Sequence, residues 1–309
     1  MKTAIVIGTL GFIGFSLTKR LLDEGYQVVG IDICADGSDL IKEQKLSEIV
    51  RNSQFYFVNK RIEDVHLPEV ADTVDAIYDC MYEQDVQDEN VCEKISVGKS
   101  TLQKIMKFCA EQHSKFVYLS SFEVFKENVN LHGGDPFLIK EPRNAIGQLK
   151  LDLEQEIETF SSSNEGFTYF ILRLPTIYGP WQPPSMTFQQ LIEGNTAPTL
   201  DPIQEDAIFI DDLIEILINI DQFHSLENKA TVVYSNKKDQ WQKAFRLLIN
   251  DIKSDSSLVG EDRYVEAVKI NQDPYNTLSE YIKTSIETGL LQQKNHYQHL
   301  ERLRKLGLL

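Results

Sequence analysis

The sequence predicts an α/β protein: a doubly wound parallel sheet, followed by a smaller mixed α/β C-terminal region that would bind substrate. Short, continuously apolar segments recur in the first half of the chain, and segments of helical spacing separate them. The predicted strands are residues 3–8, 26–32, 55–58, 76–79, 116–120 and 168–173, and the helices between them are 13–24, 40–51, 92–112 and 145–160. Apolar strands that alternate with helices form parallel sheets covered on both faces.

The pattern changes after Arg173, where prolines and glycines accumulate. We therefore predict two domains, residues 1–174 and 175–309, partly interleaved. The predicted helices of the second domain are 188–193, 211–220, 240–251 and 291–309, and its predicted strands are 231–234 and 264–270. The last helix carries leucines at i, i+3 spacing, which predicts an amphipathic helix that docks on its own domain or, less favoured, on a partner subunit.

The composition excludes several classes of function. With 47 acidic and 31 basic residues the net charge is −16, which argues against binding to nucleic acids or to anionic membranes. No stretch approaches the roughly 18 apolar residues of a membrane span, so we expect a cytoplasmic protein. The four cysteines have no CxxC spacing, which predicts small core residues in a reducing compartment and no metal site.

A glycine-rich turn, GTLGFIG, connects the first predicted strand to the first helix. Gly8 permits the turn, Gly11 lets a pyrophosphate approach the backbone, and Gly14 lets the helix pack on the strand. The helix N-terminus offers free N–H groups to phosphate oxygens. This pattern is typical of a Rossmann dinucleotide-binding domain. The predicted cofactor-binding residues of the turn also include Leu10, Phe12 and Ile13; the alternative is that the glycines serve only a tight turn.

Asp32 ends the second predicted strand. It lies close to the position, roughly 20 residues after the glycine-rich turn, at which a carboxylate accepts hydrogen bonds from the adenosine ribose. We expect Asp32 and the adjoining Ile33 to contact the cofactor. A carboxylate repels a 2′-phosphate, and no lysine or arginine follows until Lys42. The sequence therefore favours NAD over NADP.

Several segments resemble the extended short-chain dehydrogenase/reductases of the NAD-dependent epimerase/dehydratase type, many of which act on nucleotide sugars. The matching segments are GTLGFIG, FVYLSSFEVF at 116–125, the helix with Gly147, Lys150 and Glu154, LRLPTIYGP at 172–180, DAIFIDDL at 206–213 and SIETGL at 285–290. The resemblance implies a hydroxyl-bearing catalytic residue at Ser121 and a lysine at Lys150 that holds the nicotinamide ribose. It also implies a possible homodimer through the helices at 92–112 and 145–160.

The chain departs from this family at the catalytic tyrosine, which would stand four residues before Lys150. Ile146 occupies that position, and an isoleucine cannot carry a proton. Small residues that lie next to the cofactor in the family are replaced by Met81 and Tyr82, which would crowd it. Glu205 stands where many relatives have an arginine that contacts the diphosphate.

Two residues are candidates to replace the tyrosine. Glu123 matches a glutamate that assists proton transfer in dehydrating relatives, although a solvated glutamate in a surface turn is an equal alternative. Tyr82 could bring a hydroxyl from the neighbouring strand end, although a buried aromatic is favoured. The alternative for Lys150 is an exposed helical lysine.

The sequence leaves three hypotheses for function. The first is an NAD-dependent enzyme with a non-standard active site that acts on a nucleotide-linked sugar or a related small molecule. The second is a catalytically deficient NAD-binding regulator or partner subunit, favoured by the combined changes at Ile146, Glu205 and the Met81–Tyr82 pair. The third is a redirected active site whose substrate lacks a diphosphate, consistent with Glu205.

Overall fold

A computed structural model describes residues 1–35, 37, 39–82, 86–126, 140–255 and 277–307, with only the backbone of 253–255 and 277. The chain divides into two compact units. The first contains Met1–Lys126, Lys140–Arg173 and Leu217–Val232. The second contains, among the described residues, those within 174–216 and 233–307.

The first unit is built on a seven-stranded sheet. Its strands are β1 (Thr3–Ile7), β2 (Gln27–Asp32), β3 (Phe55–Asn59), β4 (Ala76–Asp79), β5 (Lys115–Ser121), β6 (Thr168–Leu174) and β9 (Lys229–Val232). Its helices are α1 (Phe12–Asp23), α2 (Leu40–Ile49), α3 (Val91–Gln112) and α4 (Ala145–Ser163). The sheet order is β3-β2-β1-β4-β5-β6-β9, and the pairs β1·β2, β1·β4, β2·β3, β4·β5 and β6·β9 are parallel. This arrangement confirms the predicted doubly wound α/β class.

The order of the strands locates a crevice at the carboxyl edge of the large sheet. Chain order runs outward from β1 in opposite directions, through β2 to β3 on one side and through β4 to β5 on the other. Helices that follow β1 and β4 therefore diverge, and a crevice opens at the carboxyl ends of these two strands. All five residues of β1 and all four of β4 are buried, as central parallel strands require. The Gly8 turn and Asp79 lie at this crevice.

The hydrophobic core of the first unit lies between the central strands and the helices α3 and α4. Strand residues such as Ile5 and Ile77 share one buried cluster with Ile105 of α3 and Leu149 of α4. The four side chains are at most 2% exposed. This packing holds α4, which carries Ile146 and Lys150, against the sheet.

The second unit contains a short parallel pair, β7 (Thr176–Tyr178) and β8 (Ala207–Phe209). Its helices are α5 (Thr187–Ile192), α6 (Ile210–Ile218), α7 (Gln240–Asp255) and α8 (Ile286–Lys305), and α6 extends into the first unit at its last residues. Aromatic rings form its core: Tyr178 contacts Phe188 and Phe209 with ring centroids 5.8 and 5.6 Å apart, and Phe188 contacts Trp241 at 5.5 Å.

Four differences from the sequence prediction have physical causes. Strand β9, predicted within the smaller region, pairs with β6 and extends the large sheet. Helix α8 begins at Ile286, where Ser285 caps it by accepting from the Thr288 N–H. The predicted leucine stripe fails at its end, since Leu306 lies beyond the helix and is exposed. The pair β7·β8 was missed, because three-residue strands carry little periodicity. The predicted strand 264–270 lies outside the described residues.

The cysteines and helices bear on two further expectations. None of the four cysteines, all of which are described, is in a disulfide. Cys34 and Cys109 are buried as expected, but Cys92 is exposed, so the interpretation of all four as core residues is wrong for Cys92. In the part of the chain that the structure describes, no helix is both long and apolar enough to cross a membrane.

Candidate cofactor site and active site

The glycine-rich turn packs closely, so that a Cβ would be crowded at Gly8 and Gly11 and is excluded at Gly14. Gly8 has a φ of +78°, and a Cβ there would lie 3.2 Å from the Cys80 carbonyl carbon at the end of β4. A Cβ on Gly14 would lie only 2.1 Å from the Gly8 carbonyl oxygen, and one on Gly11 would lie 3.0 Å from the same atom. The turn therefore presents bare backbone at the crevice.

Helix α1 begins at the turn without a side-chain cap. Gly11 is its N-cap and offers no side-chain acceptor. The N–H groups of Phe12, Ile13 and Gly14 lie in the first turn of the helix, where no intrahelical acceptor exists, so they are available to an anionic ligand. The Leu10 N–H is used differently, because it donates to Asp32 Oδ2 at 2.9 Å.

A lysine that sequence reasoning missed lies beneath this turn. Lys45 of α2 is buried, and its ammonium donates to the carbonyl oxygens of Leu10 and Gly11 at 3.1 and 3.2 Å. The ammonium also lies 5.7 Å from the centre of the Phe15 ring. Burial lowers the pKa of Lys45 to about 8. No spacing rule in the sequence marks this lysine, because its contacts depend on how α2 packs against the turn.

Asp32 lies at the carboxyl end of β2 with both oxygens in use. Oδ2 accepts from the Leu10 N–H, while Oδ1 accepts from the Ile33 N–H at 2.7 Å and from Lys42 Nζ at 2.7 Å. Lys42 also donates to the Ile33 carbonyl oxygen at 3.1 Å. The first lysine after Asp32 in the sequence thus forms an ion pair with it.

The end of β4 forms the other wall of the crevice. Asp79 accepts from the Met81 N–H at 3.1 Å. Met81 is partly buried and packs against the hydrophobic core, which weakens the expectation that its side chain crowds a cofactor. Tyr82 is 55% exposed, so the favoured interpretation of a buried aromatic is wrong.

Ser121 and Glu123 lie together where β5 passes into a single 3₁₀ turn. Ser121 caps this turn: its Oγ accepts from the Glu123 N–H at 3.2 Å and lies 3.4 Å from Glu123 Oε2. Glu123 Oε1 accepts from the Asn144 side chain at 3.1 Å. Glu123 is 1% exposed, so the alternative of a solvated surface glutamate is wrong. Burial raises the pKa of Glu123, against opposing hydrogen bonds from Asn144 and Ser121 and the charge of Arg143.

Helix α4 rests directly on this turn. A Cβ on Gly147 would lie 2.0 Å from the Glu123 carbonyl oxygen, so only glycine permits the approach. Asn144 caps the helix by accepting from the Gly147 N–H at 2.8 Å, and it also reaches Glu123. Sequence reasoning missed Asn144. The available signal was its position directly before a helix, where asparagine is a favoured N-cap residue.

Ile146 and Lys150 occupy one face of α4. Ile146 is partly buried and packs against the core. Lys150 is buried, so the alternative of an exposed helical lysine is wrong. Its ammonium donates to the carbonyl oxygens of Leu119 at 2.9 Å and Met81 at 3.1 Å, and it lies 4.8 Å from the centre of the Tyr118 ring. Lys150 thereby joins the ends of β4 and β5.

The structure brings the predicted residues into two groups within the first unit. The cofactor group comprises the turn from Gly8 to Gly14 with Asp32 and Ile33. The second group comprises Ser121 and Glu123 with Lys150, whose charge acts on the Glu123 carboxyl. Among the described residues, no group of histidine, cysteine or acidic side chains is arranged to hold a metal ion.

Comparison with known proteins identifies a matching family and a curated relative. A family model described as "NAD dependent epimerase/dehydratase family" matches residues 4–220. A curated relative, a probable UDP-glucuronate 4-epimerase from Rhizobium meliloti, is 25% identical over 236 residues, which cover 70% of this chain and 67% of the relative.

Solved structures are similar in fold over almost the whole chain. The UDP-glucuronic acid 4-epimerase from Bacillus cereus in complex with UDP-glucuronic acid and NAD has a TM-score of 0.76 at 21% identity, covering 96% of this chain and 99% of the other. A dTDP-glucose 4,6-dehydratase from Bacillus anthracis in complex with NAD has a TM-score of 0.75 at 18% identity, covering 98% of both chains.

Proposed function

Since this chain belongs to the NAD dependent epimerase/dehydratase family, we propose that it is an NAD-binding enzyme that acts on a nucleotide-linked sugar through a non-standard acid–base centre. The observation that carries the proposal is the buried carboxyl of Glu123 beside the Ser121 hydroxyl. Both of the structurally similar proteins described above are in complex with NAD, and the epimerase also holds UDP-glucuronic acid, which supports the substrate class.

The residues of the first unit fit a dinucleotide. The bare backbone at Gly8, Gly11 and Gly14 leaves room that a Cβ would fill, and the uncapped start of α1 supplies N–H groups for phosphate oxygens. Asp32 is placed to accept from a ribose hydroxyl, and we propose NAD as the preferred form because its carboxylate repels a 2′-phosphate. When bound, NAD supplies a hydride acceptor and donor for a carbon of the sugar.

Ser121 and Glu123 would move the proton that the missing tyrosine moves in relatives. Ser121 is 8% exposed and Glu123 1%, so a substrate hydroxyl would reach the carboxyl through the Ser121 hydroxyl. The serine would pass its proton to Glu123 Oε2 and take up the proton of the substrate. Because burial raises the Glu123 pKa, the protonated carboxyl would hold this proton better than an exposed glutamate does and would return it in the reverse step.

A second candidate is a catalytically deficient NAD-binding partner subunit or regulator. One observation favours it: the Lys150 ammonium is already hydrogen-bonded to two strand-end carbonyls, and Ile146 packs on the core. In this case α4 would keep a structural role only.

Release of bound cofactor tests the shared premise of both candidates. Purified protein is denatured and its supernatant assayed for NAD, and unloaded protein is titrated with NAD by calorimetry. We expect binding by the wild type and a loss of at least tenfold in affinity for Asp32→Ala. Absence of NAD from the supernatant, together with no heat of binding, would contradict both candidates.

Activity distinguishes the two candidates. UDP-glucuronic acid and UDP-glucose serve as probe substrates, and epimerisation is followed by chromatography of the products. For an enzyme with a substitute acid–base pair we expect wild-type turnover that Ser121→Ala and Glu123→Gln each lower by about 10²–10⁴-fold. For a deficient subunit we expect no turnover by the wild type and a gain in Ile146→Tyr. The expected cytoplasmic location and homodimer remain predictions, which fractionation and light scattering would check.

A further inference from the structure

Lys42 lies in the subsite that would receive the adenosine ribose, and it alters the charge of that subsite. Its side chain is 30% exposed, whereas that of its partner Asp32 is 11% exposed. The ammonium therefore lies on the solvent side of the ion pair. A ligand that approaches Asp32 meets a paired carboxylate rather than an isolated negative charge.

The hydrogen-bonding capacity of the pair is only partly used. An ammonium has three donors, and Lys42 donates to Asp32 Oδ1 and to the Ile33 carbonyl oxygen, which leaves one donor. Asp32 Oδ2 has two lone pairs and accepts from the Leu10 N–H, which leaves one acceptor site. One donor and one acceptor therefore remain on the two paired side chains, a combination that suits a sugar hydroxyl.

The position of Lys42 is fixed by its surroundings. Its backbone N–H belongs to the first turn of α2, where it donates to the Asp39 side chain at 3.0 Å. The loop that follows β2 is held at Cys34, whose N–H and carbonyl both bond to the side chain of Asn59 at 3.0 and 2.8 Å. These hydrogen bonds hold the backbone at Cys34 and at Lys42, and from there the Lys42 ammonium reaches Asp32 and the Ile33 carbonyl oxygen.

We propose that Lys42 is a specificity-determining residue of the cofactor site, one that lets the protein accept a 2′-phosphate as well as a free 2′-hydroxyl. With a hydroxyl, Asp32 Oδ2 accepts and Lys42 donates. With a phosphate, Asp32 repels the ligand, but the adjacent ammonium attracts it and offsets part of that repulsion. NAD remains the better ligand, and NADP binds measurably. This inference rests on the proposed function, because it requires that the subsite take an adenosine ribose.

The experiment compares dissociation constants for NAD and NADP, measured by calorimetry on the unloaded full chain. For the wild type we expect binding of both, with NADP weaker. For Lys42→Met, which keeps the length of the side chain, we expect NADP affinity to fall at least tenfold further than NAD affinity. The matched control is Lys19→Met, which also removes one positive charge from the first unit but breaks the surface pair of Lys19 with Glu48. The ratio of the NADP and NAD dissociation constants of Lys19→Met should equal that of the wild type.

The outcomes separate this inference from the proposed function. If neither nucleotide binds the wild type, the proposed function is wrong. If NAD binds and NADP does not, or if Lys42→Met weakens both equally, the proposed function stands and the inference about Lys42 is wrong. Salt dependence gives a second measurement on the unaltered protein: NADP affinity should fall more steeply with ionic strength than NAD affinity, and equal slopes would overturn the inference.

Discussion

Arg173 forms a buried ion pair with Glu154 inside the first unit. Its Nη2 donates to Glu154 Oε2 at 2.6 Å and its Nε donates to Oε1 at 3.0 Å, while Ser120 Oγ donates to the same Oε1 at 2.6 Å. The two charged side chains are 3% and 0% exposed. Together with Ser120, the pair connects β6, α4 and β5. The arginine of LRLPTIYGP and the glutamate four residues after Lys150 therefore have a structural role.

Loss of Arg173 should be strongly destabilising. Arg173→Met leaves the Glu154 carboxylate buried without its counter-charge, and we expect the free energy of unfolding to fall by about 3–5 kcal/mol in urea titrations. The double variant Arg173→Met/Glu154→Leu removes both charges and should lose less than the sum of the two single variants. The exposed pair of Lys126 with Glu141 provides the control, and Lys126→Met should cost less than about 1 kcal/mol. If Arg173→Met and the double variant lose the same free energy of unfolding, the loss does not come from a buried, unpaired Glu154 carboxylate.

The glycine turn should tolerate no methyl group at position 14. A Cβ there would meet the Gly8 carbonyl oxygen at 2.1 Å, so Gly14→Ala must displace α1 from the turn. We expect at least a hundredfold loss of NAD affinity in calorimetry and a clear fall in melting temperature. Gly98→Ala is the matched control: its Cβ would lie 3.0 Å from a flexible Leu153 methyl group, also within a helix. That variant should bind NAD as the wild type does, and wild-type binding by Gly14→Ala would contradict the geometry of the turn.

Glu123→Gln should separate the acid–base role of Glu123 from its structural role. A glutamine can keep both hydrogen bonds, because its amide oxygen can accept from Asn144 and its amide nitrogen can donate to Ser121 Oγ. We therefore expect a melting temperature within a few degrees of the wild type at pH 7.5. If the wild type turns over a nucleotide sugar, its kcat should fall by about 10²–10⁴-fold in this variant, with KM little changed.

The pH dependence of stability gives an independent check on Glu123. Its raised pKa means that the folded protein binds a proton more readily than the unfolded chain. Wild-type stability, relative to Glu123→Gln, should therefore increase as the pH falls through the raised folded-state pKa towards the ordinary glutamate value of about 4.3. Parallel stability profiles for the two proteins would show that the carboxyl titrates normally.

Lys45 should stabilise the fold more at alkaline pH than at neutral pH. Burial lowers its pKa to about 8, so between pH 8 and its ordinary value of about 10.4 the unfolded chain binds more protons than the folded protein. The free energy of unfolding should rise with pH through this window, relative to Lys45→Met, by up to roughly 3 kcal/mol. Urea titrations at pH 7 and pH 9.5 on both proteins measure the difference. A difference that does not change with pH would mean that the ammonium is solvated.

The sequence predicted most of the large sheet because its signals are local. Strands such as β1 are wholly apolar, and the spacing of the glycines from Gly8 to Gly14 indicates a tight strand-to-helix turn from the sequence alone. The predicted limits of β4 coincide with those observed, and those of the other strands of the large sheet, β9 apart, differ by one residue at most at each end. Strand β9 was assigned to the smaller region because the chain leaves the first unit after Arg173 and returns at Leu217, and periodicity carries no information about such a return.

The site was predicted less completely, because its contacts depend on packing. Asp32, Ser121 and Glu123 stand in recognisable segments. The partners of these residues do not: Lys42 reaches Asp32 and Asn144 reaches Glu123 only after α2 and α4 are docked. Burial likewise decided between the alternatives left open for Glu123, Tyr82 and Lys150, since the exposure of a polar side chain is set by the whole fold.

The contact of Gly147 with the Glu123 carbonyl has one more consequence. Because main chain meets main chain there, this contact limits how closely α4 approaches the turn after β5, whatever side chain stands one residue earlier. Ile146 adds packing against the core, but the close approach of α4 to Glu123 rests on Gly147. The side chain at position 146 can therefore change while this main-chain contact is kept, so a tyrosine introduced there would be presented by a helix still seated on the turn.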